Sequence, residues 1–131
     1  MERKIRLMII DDSAVYRNWL ITQLSKDEHL EIIGYATDAF DARKKIPALK
    51  PDVLTLDIEM PGMSGLDFLK ELLPRHPLPV ILVSSLNIKV FDALAAGAVD
   101  FVRKPDMNSH MSKDAFLSML ISKLIVASQS K

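Results

Sequence analysis

Three carboxylates, a serine and a lysine stand at the ends of apolar runs, where a side chain can leave a core and meet solvent. Asp57 closes the run Val53-Leu54-Thr55-Leu56 and opens the turn Ile58-Glu59-Met60-Pro61-Gly62. Asp11 and Asp12 end the run from Leu7 to Ile10, Ser84 ends one that includes Val83, and Lys104 ends Phe101-Val102-Arg103. Carboxylates crowded together repel and raise one another's pKa unless a cation joins them. Hard oxygen donors of this kind suit Mg²⁺, which keeps several waters and shares its shell with phosphate. A lysine adds a compact positive charge for an anion entering beside the metal. The set points to phosphoryl transfer to or from a carboxylate.

That chemistry requires the four run ends to meet. Apolar runs of strand length alternate with amphipathic stretches of helical length, joined by short loops, which is the mark of βαβ units and a parallel α/β sheet. Strands are predicted near residues 5–10, 31–36, 52–57, 79–84 and 98–103, and helices near 14–26, 38–48, 65–74, 87–96 and 112–127. Ser13, Asp38 and Ser64 can cap the first three helices, with Asp67 in the first turn of the third. In an open parallel sheet the loops after the strands' carboxyl ends line the ligand crevice, so Asp11, Asp12, Asp57, Ser84 and Lys104 are predicted to share it.

The 131 residues, 49% of them apolar, suit one domain. It is expected to span 1–127, with 128–131 a frayed end or linker stub. Seventeen basic residues balance seventeen acidic ones, which speaks against nucleic-acid and membrane-surface binding. The absence of cysteine excludes disulfide and thiol chemistry. Apolar runs are too short to span a bilayer, and Met1-Glu2-Arg3-Lys4-Ile5 leads into a strand instead of a signal peptide, so a soluble cytoplasmic protein is expected.

Four segments carry a resemblance: Asp11-Asp12-Ser13, the stretch from Leu56 to Gly65, Val83-Ser84-Ser85 and Val102-Arg103-Lys104-Pro105. Together they resemble the signatures of response-regulator receiver domains, over nearly the whole chain. Residues 11–15, 54–61, 83–86 and 97–105 are most similar to the receiver of the chemotaxis protein-glutamate methylesterase. The resemblance implies a single doubly wound (βα)5 flavodoxin-like domain with strand order 2-1-3-4-5. It also implies a phosphorylation-controlled switch of a two-component system, the regulatory domain of such a methylesterase; a stand-alone receiver or one with another output is the alternative.

Carried over by position, the resemblance makes Asp57 the acceptor of a phosphoryl group from a histidine kinase or a small donor such as acetyl phosphate. Asp12, the Asp57 carboxylate and the Glu59 backbone carbonyl would hold Mg²⁺, with Asp11 acting through a bound water. Lys104 would clamp one phosphoryl oxygen and Ser84 would donate to another, after which Phe101 turns inward; Ser84 and Phe101 form the switch. Glu59 stands at a position that tunes phosphate lifetime, and Lys104-Pro105 is expected to be cis, which an X-Pro bond permits at roughly 0.5–1 kcal/mol. An effector domain, a partner protein or a second copy of the chain is expected on the face of the fourth helix, last strand and last helix. The methylesterase's hydrolytic domain is absent from these residues, so the chain should not itself demethylate receptors. The segment from Ser84 to Lys104 is about one helical turn shorter than in typical methylesterase receivers.

Simpler roles exist for each residue alone. Asp11-Asp12 could merely cap a helix, Asp57 could form a turn beside Pro61 and Gly62, and Phe101 could be an ordinary core aromatic. His29, His76 and His110 share no metal spacing and read as surface residues. Met60 and Met63 read as gap-fillers, and Trp19 as packing against the sheet, with kinase docking as the alternative. On the last helix Leu117, Leu120, Ile121 and Leu124 form one stripe, while Phe116, Met119 and Val126 are expected to add apolar surface outside it. Asp57-Ile58-Glu59 could also suggest a haloacid-dehalogenase-like phosphatase, but that family places its acidic motif after its first strand. A flavodoxin-like flavin binder is disfavoured because Asp11-Asp12 would repel a flavin phosphate.

Overall fold

Strands and helices alternate strictly along the chain: β1 (Ile5–Ile10), α1 (Ala14–Leu24), β2 (Leu30–Ala36), α2 (Ala39–Leu49), β3 (Val53–Asp57), α3 (Gly65–Leu72), β4 (Val80–Ser84), α4 (Val90–Ala95), β5 (Asp100–Arg103) and α5 (His110–Ser128). They belong to a computed structural model that describes residues 3–85 and 90–129, the side chains of residues 90 and 91 excepted. The five strands form one parallel sheet in the order β2-β1-β3-β4-β5. This is the doubly wound flavodoxin-like topology, whose strand order reverses beside β1 and β3.

Local chemistry sets the helix boundaries. Ser13, Asp38 and Ser64 cap α1, α2 and α3, each side chain accepting the N–H three residues on, from Tyr16, Asp41 and Asp67. α1 ends at Leu24, short of the expected 26, because Ser25 caps it and turns the chain. α5 starts two residues before the expected 112, since Ser109 accepts from the Ser112 N–H. It also continues through Ser128, into the stretch expected to be frayed. The expected start of α4, at 87, lies outside the described residues, and Val90–Ala95 is a short helix.

Side chains alternate across the sheet, and each face has its own core. Leu7, Ile9, Val53, Ile81, Val83 and Val102 pack with α1 and α5. Met8, Ile10, Leu54, Leu56, Val80 and Leu82 pack with α2, α3 and α4. Near-continuous burial of β1, β3 and β4 is what a sheet covered on both faces demands. Each fully buried Leu or Ile contributes about 1.5–3 kcal/mol, which makes the strand ends rigid platforms.

The last helix corrects one expectation. Phe116 is core, not surplus surface: with Leu120, Leu124 and Ala127 it forms the buried stripe of α5. Its ring lies 6.1 Å from that of Trp19 and 6.3 Å from that of Tyr16, so Trp19 packs in an aromatic cluster between α1 and α5. Met119 and Val126 are exposed as expected. The Lys104-Pro105 bond is also corrected, since none of the described peptide bonds is cis and the intrinsically preferred trans form is kept. Among the described residues no helix is long and apolar enough to cross a membrane.

Candidate functional site

The parallel ladder runs one residue past the strands and sets the site residues in register. Asp11 N–H donates to Ala36 O at 3.0 Å, Ile58 N–H to Val83 O at 3.1 Å and Lys104 N–H to Ser84 O at 2.8 Å. Asp57 and Ser84 are the last residues of β3 and β4, and Asp11 and Lys104 follow β1 and β5 directly.

The crevice thus formed brings Asp11, Asp12 and Asp57 together, with one carboxylate oxygen from each lying within 4.8 Å of the others. Asp11 and Asp57 are buried and Asp12 is exposed. Both oxygens of Asp11 are engaged, one accepting the Ser13 N–H at 2.8 Å and the other 3.0 Å from Lys104 Nζ. Lys104 Nζ also lies 3.5 Å from Asp57 Oδ2, and the Glu59 N–H donates to Asp57 Oδ1 at 3.3 Å.

Burial pushes the Asp57 carboxyl up to about 7, and the Asp11 charge pushes the same way; Lys104 and the Glu59 N–H pull it back only in part. Burial pulls Lys104 down, but its pairing with Asp11 and Asp57 more than offsets this and leaves the ammonium above its ordinary value. A site in which the Asp57 carboxyl resists ionising is short of positive charge. Three hard oxygens, one of them on the exposed Asp12, therefore fit a divalent cation that keeps part of its water shell.

Two positions press on Asp57 from either side. Gly65 opens α3 with its N–H on Ile58 O at 2.8 Å, and a Cβ there would lie 2.2 Å from the Asp57 carbonyl oxygen. On the other side Lys104 Nζ sits 4.3 Å from the centre of the Tyr16 ring. Sequence reasoning passed over Tyr16 and its neighbour Arg17. Arg17 is buried and donates from Nη1 to Asp11 O at 2.8 Å, bracing the backbone that presents the acidic pair. The Tyr16 hydroxyl and Arg17 Nε are buried without a hydrogen-bond partner. A tyrosine and an arginine four residues or fewer past a cap, on the face that should be apolar, are the signal that was available.

The two switch candidates stand on the last two strands, Ser84 at the end of β4 and Phe101 in β5. Ser84 is buried and donates its hydroxyl to Glu59 Oε1, while Ser85 Oγ donates to Glu59 Oε2 at 2.8 Å. Phe101 is half-buried against the core on the α2–α4 side, as are Met60 and Met63. His29, His76 and His110 are exposed, and none is among the residues of the carboxylate cluster.

The response regulator receiver domain family matches residues 7–115. The chain belongs to that family. This receiver is 50% identical over 129 residues to a protein-glutamate methylesterase/protein-glutamine glutaminase 2 of Syntrophomonas wolfei, covering 98% of this chain and 38% of that protein. It is equally similar, 50% over 132 residues, to a protein-glutamate methylesterase/protein-glutamine glutaminase of Syntrophotalea carbinolica, covering 37% of it. The receiver thus spans less than two fifths of these relatives. Among solved structures, the response regulator domain of Thermotoga maritima CheB superposes with a TM-score of 0.89 at 35% identity, covering 98% of this chain and 99% of that one. The receiver is therefore homologous to methylesterase regulatory domains.

Proposed function

We propose that Asp57 is the phosphoryl acceptor of a two-component switch, and that the chain is the regulatory domain of a chemotaxis-type protein-glutamate methylesterase acting in the cytoplasm. The observation that carries this reading is the meeting of buried Asp57 with two further carboxylates within 4.8 Å and a lysine at 3.5 Å. An Asp57 oxygen attacks the phosphorus of a histidine kinase's phosphohistidine or of acetyl phosphate. The P–O bond to Asp57 forms as the bond to the donor's nitrogen or oxygen breaks, and the leaving group carries away that electron pair. Asp12, Asp57 and the Glu59 carbonyl would hold Mg²⁺, which would supply the positive charge that neutralises the phosphoryl oxygens.

The remaining steps belong to the chain itself. Asp11, tied to Ser13 and Lys104, would reach the metal through a bound water. Lys104 is held between Asp11 and Asp57 and takes a phosphoryl oxygen by a short movement. Ser84 donates to a second oxygen, and Phe101 answers by turning inward. The output surface is the face of α4, β5 and α5. A groove of about 570 Å³ there is lined by Ser85, Val102, Lys104, Pro105, Phe116 and Met119, so it touches the site and the exposed edge of α5 at once. Its occupant is an effector domain or a partner protein.

Intact mass after incubation with acetyl phosphate and Mg²⁺ tests the acceptor. One added phosphoryl group is expected, absent both from Asp57→Asn and after metal chelation. Addition to Asp57→Asn would move the acceptor elsewhere, and turnover of a phosphomonoester would replace the switch by a phosphatase.

A further inference from the structure

Glu59 leaves the loop after β3 and reaches across to the end of β4, where its two oxygens take the hydroxyl hydrogens of two successive serines, Ser84 and Ser85. Ser84 is fully buried and Ser85 exposed, so one leg of the grip is inside the crevice and the other on its rim. Hydrogen bonds to a carboxylate are shorter and stronger than neutral ones. A serine hydroxyl has a single hydrogen to give. It cannot serve Glu59 and a phosphoryl oxygen at the same time.

We propose that Glu59 is a latch: its carboxylate competes with the phosphoryl group for the Ser84 hydroxyl and holds the resting arrangement of the β4 end. The proposal rests on Asp57 being the acceptor. A phosphoryl group on Asp57 adds negative charge two residues from Glu59, which repels the carboxylate as it offers Ser84 a new acceptor. Both effects favour release. Ser85 is a positioning residue, since it secures the second oxygen of Glu59 without being one of the groups assigned to the phosphoryl group. Anion binding is weakened by whatever fraction of molecules is latched, and loosening the latch returns that fraction.

The test is isothermal titration of beryllofluoride, a phosphoryl mimic, into the Mg²⁺-loaded chain. Ser85→Ala is expected to tighten binding roughly threefold and Glu59→Ala about tenfold. Ser85→Thr, which keeps the hydroxyl, is expected to match the wild type. Because Glu59→Ala also removes a charge, the deciding measurement is Ser85→Ala on the Glu59→Ala background, where no further gain is expected. An unchanged affinity in Ser85→Ala, or a gain that persists without Glu59, overturns the latch. If the wild type binds no more beryllofluoride than Asp57→Asn, the acceptor reading itself falls, and the latch with it.

Discussion

The two faces of the sheet do different work, and the alternation of side chains along the strands decides which residue does which. Asp11, Asp57 and Lys104 continue the rows of Leu7 and Ile9, of Val53, and of Val102, which pack with α1 and α5. Ser84 continues the row of Val80 and Leu82, and Phe101 itself packs on the α2–α4 side. The charged chemistry thus sits over an aromatic, firmly filled core of Tyr16, Trp19 and Phe116 under the 19-residue α5. Ser84 and Phe101 sit over a core to which α4 adds Ala93 and the turn after it Ala96 and Ala98. Small side chains bury little area each, so α4 is the more lightly held of the covering helices. Parallel strands with period-two side chains let residues a single position apart face two different cores.

The widest gap between the faces is expected in core truncations. Phe116→Ala should cost about 3–5 kcal/mol in urea unfolding, because it empties the centre of the aromatic cluster. Ala93→Gly on the other side should cost about 1 kcal/mol, from helix propensity alone. Equal losses would erase the distinction.

Next in size is the electrostatic strain of the α1–α5 side without metal. Asp57 holds its proton to about pH 7 when folded and to 3.8 at its ordinary value. Between those limits the folded chain binds more protons than the unfolded one, so stability falls as pH rises through the window and is greatest below it. From pH 5 to 8 the loss should be on the order of 3 kcal/mol. Thermal unfolding in chelator should show it for the wild type and not for Asp57→Asn. Parallel curves for the two would mean that Asp57 ionises without strain.

The smallest effect concerns the Tyr16 hydroxyl, whose pKa is driven up by burial and by the Asp11 and Asp57 charges. With no hydrogen-bond partner it is a cost to the fold. Tyr16→Phe keeps the ring beneath Lys104 and should raise stability by about 1 kcal/mol in urea, leaving phosphorylation intact. A loss of stability would reveal a role for the hydroxyl.

Much of this was legible in the sequence because the signals were local. β1 was placed to the residue and the other strands within two residues, since apolar runs bounded by turns admit few alternatives, and Ser13, Asp38 and Ser64 cap where their spacing predicts. The meeting of Asp11, Asp12, Asp57 and Lys104 follows from strand ends in a parallel sheet. What was not legible depends on direction or distance in space. α5 is apolar over so much of its surface that Phe116 could be assigned to either side until α1 was packed against it. The grip of Glu59 on Ser84 and Ser85 joins residues 25 and 26 positions apart, and nothing in their spacing announces it.

Gly65 carries a consequence for the room around Asp57. Its backbone abuts the Asp57 carbonyl so closely that even a methyl group has no room, and the Ile58–Gly65 bond closes the intervening loop into a ring. On that flank the Asp57 backbone has a close neighbour in α3, so any shift of its carbonyl toward that helix meets the Gly65 backbone first.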